Sequence, residues 1–296
     1  MRLRAPVFDD AAAVLAVLIA RDVADLGVPD VTLEDLIDEW SGSDLDLAAD
    51  VRVADAGDGR IVGYVVVRRP GTLAVVHPDH ERQGIGTRLL EWAEAHDRER
   101  GRKLYRQWTA ASNDSARTLL TGAGYSVARS YWRMACSLGG GRLAVPAPAG
   151  YELRAVDVAR DVVALHAVDA ASFGGRPDYV AETLREFREE HLDAHDFVAA
   201  LSRVAERDGA IVGFLLARRF VEDAVGYVDI LAVDPRHQGV GVGTALLASA
   251  FGAFAGVGLR EAQLGVASDN PLALRVYERA GMTVRFRFDI YERPVP

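Results

Sequence analysis

At 296 residues, half of them hydrophobic and 26% charged, the chain has the composition of a globular protein and a length that suits two domains better than one. A net charge of −9 argues against polyanion binding as a main role, so nucleic acid and anionic membrane surfaces are not expected partners. The only cysteine, Cys136, can form neither an internal disulfide nor a multi-cysteine metal site, and a reducing, cytoplasmic setting is expected.

A short strand at Leu3 leads into "AAAVLAVLIA" at 11–20. Asp9 and Asp10 stand directly before this run and no small-residue cleavage site follows, so it reads as a buried helix rather than a signal segment. "VTLEDLIDEW" supplies a second helix, and "DVRVADA" and "IVGYVVVRR" read as strands around a Gly-containing turn. An apolar strand, "TLAVVHP", then runs into the glycine loop "ERQGIGT" at 81–87. A long helix, the strand "KLYRQWTA", a helix opening near Asn113 and closing strands complete the series.

The same order then repeats. "LRA" at 3–5 recurs at 153–155 and "IVGY" at 61–64 recurs as "IVGF" at 211–214, both at an offset of 150. Gly84 and Gly241, and Asn113 and Asn270, are related by 157, so the second copy has gained seven residues between these markers, where it carries "VEDAVGY". A repeat this long is a duplicated domain rather than a solenoid unit. Between the copies, "SLGGGRLAVPAPAG" has linker composition, which predicts domains at 1–138 and 150–296 joined by 139–149. The apolar stretch from Thr244 to Leu259 is too short to span a membrane and reads as a packed helix. Each copy is therefore expected to be a mixed α/β domain.

In both copies the glycines fall where a strand opens into a helix. The first helical N–H groups there are unpaired, with the positive end of the helix dipole behind them, and Gly lets a ligand approach the backbone. Such a junction can bind phosphate, or it can be a tight turn without a ligand. Thr244 stands where a dinucleotide fingerprint starting at Gly239 needs Gly, and the Lys of a Walker loop is absent, so neither nucleotide motif fits.

"QGVGVG", Gln238 to Gly243, resembles the Q/R-x-x-G-x-G/A pyrophosphate loop of the GNAT N-acetyltransferase superfamily. "ILAVDP" before it is similar to that family's fourth strand, and "ASDNPLALRVYERAGM" at 267–282 to its N-x-x-A-x-x-x-Y-x-x-x-G-F region, with Asn270, Ala273, Tyr277 and Gly281 in register and Met282 in place of Phe. The two motifs lie 29 residues apart in both copies. The resemblance implies two tandem domains, each a central twisted mixed sheet flanked by helices, and an enzyme that moves an acetyl group from acetyl-CoA to a primary amine. It requires no metal.

On this resemblance, Gln238, Gly239, Val240, Gly241, Val242, Gly243 and Thr244 would cradle the pyrophosphate. Leu231, Ala232 and Val233 would pair with the pantetheine arm, with Asn270 bordering the site. A backbone N–H would stabilise the oxyanion. Tyr277 stands where the family often has its general acid, and a Tyr is protonated at neutral pH. Asp229 is the candidate base: residues 227, 229 and 231 would share one strand face, and Tyr227 stands where several relatives carry a catalytic Glu. A plain surface Asp, or a water chain as the base, is the alternative. Gly265 occupies a place where other relatives carry a Glu, and His191, Asp193, His195 and Asp196 crowd a helix end near the acceptor side.

The first copy keeps a possible second coenzyme A site in Val75, Val76, Gly84, Ile85, Gly86, Thr87 and Asn113. Glu81 there replaces the loop's Gln, Leu120 replaces Tyr277, and Thr72 is expected opposite Asp229. A carboxylate beside a pyrophosphate is unfavourable and Leu donates no proton, so catalysis is expected in the second domain. Family members with two such domains include a thiol-pathway acetyltransferase. The acceptor is a small-molecule or protein amine, and the chain a monomer or homodimer. A catalytically weak acyl-CoA sensor or scaffold using both grooves is the competing class.

Overall fold

The computed structural model describes residues 1–57, 59–68, 71–139, 145–176, 179–220 and 224–296. It falls into two compact units, Met1–Tyr131 with Phe286–Pro296, and Trp132–Arg285.

The first unit begins with β1 (Arg2–Arg4), α1 (Ala11–Leu26), α2 (Leu33–Ser41) and α3 (Leu47–Asp50). It continues through β2 (Val51–Asp55), β3 (Ile61–Val67), β4 (Thr72–Val76), α4 (Ile85–Glu99), β5 (Leu104–Ala110), α5 (Asp114–Gly122) and the start of β6 (Ser126–Ser137). Strands β1 to β4 pair antiparallel in chain order, and β4 pairs parallel with β5. The pleat sends alternate side chains of β3 to opposite faces. Tyr64 and Val66 pack with Val14, Val17, Leu36 and Trp40 of α1 and α2, whereas Val65 and Val67 pack with Ile85, Leu89 and Ala93 of α4.

The second unit repeats this plan with β7 (Glu152–Ala155), α6 (Val158–Phe173), α7 (Leu184–His191), β8 (Arg203–Arg207) and β9 (Ala210–Phe220). Then follow β10 (Val225–Val233), α8 (Val242–Gly256), β11 (Glu261–Ala267), α9 (Pro271–Arg279) and β12 (Thr283–Pro294). Again the strands β7 to β10 pair antiparallel in chain order, and β10 pairs parallel with β11. Helix α8 is apolar almost all round and is buried accordingly. Phe254 enters the core because Gly226 has no side chain: a Cβ there would stand 2.3 Å from the ring. Helix α7 starts later than the run "YVAETLREFREEH" at 179–191 suggests. Thr183 and Glu186 form a reciprocal capping box that fixes its first turn.

The unit boundaries differ from the expected cut at 139–149, of which residues 140–144 lie outside the described residues. The latter part of each copy's closing strand, from Trp132 in β6 and from Phe286 in β12, belongs to the other unit. Met134, Cys136 and Leu138 are buried with Leu264 and Val266 of the second unit, while Phe288–Pro294 pairs antiparallel with β5 and Tyr291 packs against Leu90, Tyr105, Leu120 and Tyr125 of the first. The expected hairpin insertion "VEDAVGY" is described only from Ala224 onward.

Candidate active site

The two units can be compared strand by strand. In the first, Thr72 pairs with Val67 and Gln107; in the second, Val228 pairs with Ala217 and Leu264, the counterparts of those residues. The offset is thus 156 at Val228, and 157 from Ile230 onward, where Ile230 pairs with Leu216 as Leu73 pairs with Val66. Asp229 is the extra residue, sitting in a β-bulge with no ladder partner. This corrects two sequence-based expectations. Thr72 is the counterpart of Val228 rather than of Asp229, and the bulge reverses the alternation, so that Leu231 packs on the α8 side while Asp229 points to α7.

Asp229 is held there by two cations. His191 Nδ1, at the end of α7, lies 2.8 Å from its carboxylate, and Arg218 of β9 approaches at 3.2 Å. Arg218 also pairs with Asp196 at 3.2 Å, so two of the four residues expected to crowd this helix end join one network. Asp193 instead bonds Arg188 at the surface. Burial alone would raise the Asp229 carboxyl, but the charge and hydrogen bond of His191, with Arg218, outweigh it and bring it down to about 2. Burial would lower His191, yet Asp229 and Glu182 raise it to about 10. A carboxylate so stabilised is a weak proton acceptor at neutral pH and a strong anchor for a cation.

Tyr277, on α9, is 7% exposed, and its hydroxyl is raised to about 12, chiefly by burial and against the charge of Arg176. It therefore keeps its proton at neutral pH. Tyr227 adds to the same shift, and its hydroxyl lies 3.2 Å from where a Cβ at Gly265 would stand. The empty place at Gly265 is thus taken up by Tyr227. In the first unit the sizes are reversed: Gly71 lies against Trp108, the counterpart of Gly265, and a Cβ on Gly71 would meet the indole nitrogen at 2.9 Å. Leu120, buried in the core, stands at the Tyr277 position.

The ladder between β10 and β11 ends at Val228 and Leu264, although both strands continue, and Leu231, Ala232 and Val233 line the stretch beyond. The loop that follows is exposed from Gln238 to Gly241. Gly239 and Gly241 adopt left-handed φ of +78° and +100°, and no side chain caps the start of α8 at Gly241. Val242, Gly243 and Thr244 form its first turn, so the unpaired amides Val240–Thr244 face an uncapped helix start. Gln238 donates its amide to the Val233 carbonyl at 2.9 Å, and Asn270 accepts a hydrogen bond from the Ala273 N–H as the cap of α9. In the first unit Gly84 takes the place of Gly241 before Ile85, Gly86 and Thr87, Val75 and Val76 end β4, and Asn113 caps α5. There Arg82, the counterpart of Gly239, is forced to a φ of +56°, which costs a non-glycine residue about 1–2 kcal/mol.

Sequence reasoning missed Arg218, Glu182 and Asp169. Asp169 is buried on α6 and its carboxyl is raised to about 6, because burial outweighs the charge of His191. A polar residue on the inward face of an apolar helix was the available signal for it.

An uncapped helix start, a parallel strand pair that separates beside it, and a buried protonated Tyr are the features that the expected acyl-CoA site calls for. Residues 164–282 match the Acetyltransferase (GNAT) family and residues 48–127 match an Acetyltransferase (GNAT) domain. The chain belongs to the GNAT family and is an N-acetyltransferase with two such domains. It is 36% identical to a mycothiol acetyltransferase of Sanguibacter keddieii over 254 residues, which cover 79% of this chain and 77% of that protein. It is 34% identical to a mycothiol acetyltransferase of Streptomyces bingchenggensis, over 76% of this chain and 75% of the relative. Among solved structures, a GCN5-related N-acetyltransferase from Sphaerobacter thermophilus is 28% identical with a TM-score of 0.82, covering 99% of this chain and 95% of that one. A tandem GNAT protein from the clavulanic acid biosynthesis pathway shares the fold at 17% identity, with a TM-score of 0.77 over 100% of this chain and 98% of that one. No helix among the described residues is long and apolar enough to cross a membrane.

Proposed function

We propose that the second unit transfers acetyl from acetyl-CoA to the primary amine of a mycothiol-related acceptor. The observation that carries this reading is the separation of β10 from β11 directly before the exposed loop Gln238–Gly241 and the uncapped start of α8, with Tyr277 buried on the neighbouring helix. The amides there and the α8 dipole suit a pyrophosphate, and the free edge at Leu231–Val233 suits the amide groups of a pantetheine arm. Tyr277 acts as the acid that protonates the departing thiolate. Arg176, which favours the ionised phenol, stabilises it once the proton has left. Asp229 acts by positioning: it fixes His191 and Arg218 on the α7 side of β10, where the acceptor would enter. The acceptor assignment follows the names of the relatives.

Acetyl-CoA turnover over a panel of amines that includes deacetylated mycothiol tests this reading. Tyr277→Phe is expected to lower kcat by about 100-fold or more, with KM for acetyl-CoA little changed. An intact kcat in that variant removes Tyr277 from the chemistry, and turnover of every other amine but not the mycothiol-related one removes the acceptor assignment.

A further inference from the structure

In the first unit, side chains cross the way between the loop after β4 and the turn after β5. Glu81 accepts a hydrogen bond from Ser115 Oγ at 2.6 Å, which joins the loop directly to α5, and it pairs with Arg21 of α1. Arg21 also pairs with Asp25 at 2.8 Å. The Asp25 carboxylate accepts a hydrogen bond from Asn113 Nδ2 at 3.0 Å, and its backbone carbonyl accepts one from Ser112 Oγ at 2.7 Å. Helix α1 packs on β3 and β4, whereas Ser112, Asn113 and Ser115 follow β5. The network therefore ties the β4 side to the β5 side beyond Leu73 and Trp108, where the ladder between these strands has ended.

The second unit shows what stands at the same positions without such a network. Arg4 donates two hydrogen bonds to Asp10 just as Arg154 does to Asp161, which aligns α1 with α6 at an offset of 151. Arg21 then corresponds to Ser172 and Asp25 to Arg176, while the loop and α5 align at 157, setting Glu81 against Gln238 and Ser115 against Leu272. Gln238 bonds its own strand, Leu272 is 69% exposed, and the Ser172 hydroxyl makes no hydrogen bond among the described residues. Two carboxylates sharing the Arg21 guanidinium at the mouth of one groove, a net negative set, correspond to a neutral amide, a hydroxyl and a guanidinium, a net positive set, at the mouth of the other. The bonds from Ser115 and Arg21 outweigh burial and keep Glu81 ionised at neutral pH. An incoming pyrophosphate would meet that fixed charge, and the pantetheine arm would have to break the Glu81–Ser115 bridge to pass.

We infer that this strap closes the first groove to coenzyme A, so that each chain binds one coenzyme A, in the second unit; the inference rests on the reading of that unit as the acetyl-CoA site. Calorimetry of the full chain with coenzyme A should give one equivalent per chain. Hydrogen exchange on the same sample should show coenzyme A protecting amides 239–245 and leaving 82–88 unchanged. Carrying the second unit's residues into the first, as Arg21→Ser, Asp25→Arg, Glu81→Gln and Ser115→Leu together, should raise the stoichiometry to two. Two equivalents on the unmodified chain, with protection at 82–88, would overturn the strap while leaving the second site standing. No binding by the unmodified chain would overturn the underlying reading instead. A folded fourfold variant still limited to one equivalent would show that something other than these side chains closes the groove.

Discussion

Thr72 and Val228 hold the same ladder position in the two units, yet only Val228 is followed by an inserted residue. That single residue brings a carboxylate to the α7 side of the strand, where His191 and Arg218 meet it. In the first unit β4 continues without a bulge, and Arg68, the counterpart of Arg218, pairs with Glu39 of α2. Duplication supplied two equal frames, and a small number of local changes made them chemically unequal. The difference between the copies that sets their charge is therefore concentrated in the middle of one strand and at the mouth of one groove.

Deleting Asp229 should have the largest effect on this comparison, because it returns β10 to the register of β4 and leaves His191 and Arg218 without their shared carboxylate. Losing one partner of a buried pair costs about 3 kcal/mol or more, and a urea midpoint unchanged by the deletion would show that the bulge is not tied to the network. Asp229→Asn keeps the bulge and removes only the charge. The His191 imidazole, followed by NMR, should then titrate several pH units lower than in the unmodified chain. The sign of the pH dependence follows from the two shifts. The lowered Asp229 carboxyl contributes fully above its ordinary range and loses that contribution as pH falls toward 2, and the raised His191 contributes fully below its ordinary pKa and loses it as pH rises toward 10. The pair should therefore add most stability between about pH 4 and 6.5, and the Asn variant should lose the alkaline slope in a pH series of thermal melts. The smallest effect is expected from Arg82→Gly, which relieves a left-handed non-glycine residue at the place where the second unit already has Gly239. A gain of about 1 kcal/mol in the first unit, seen in a thermal or urea melt, is expected, and a loss would mean that the Arg82 side chain holds the loop.

Most of the frame was legible in the sequence. The order of the strands and the longer helices and the glycine turns follow from local spacing, to which a backbone turn or a helix face responds, whereas the register of Tyr277 with Asn270 came from the resemblance to the family's motif. The bulge at Asp229 was not, since a single inserted residue was hidden inside a seven-residue offset otherwise taken up by a hairpin. Nor could the pattern assign the closing strands. Each copy was expected only to end in closing strands, and the unit that β6 and β12 complete depends on packing of Met134 or Tyr291 against residues more than 100 positions away. The Asp229 role shifted for a related reason: spacing gave the face of a regular strand, whereas the charge state of a carboxylate depends on which cations other elements bring to it.

The route of the chain through its closing strands also bears on its synthesis. The second unit contains only residues up to Arg285, but the first waits for Phe286–Pro296 to cover the edge of β5. A nascent chain folds as its segments leave the ribosome, so the unit whose sequence emerges first is the one finished last. Until Phe288–Pro294 is released, β5 carries an open hydrogen-bonding edge of the kind that recruits stray strands, and a chain truncated before Phe286 would keep that edge permanently.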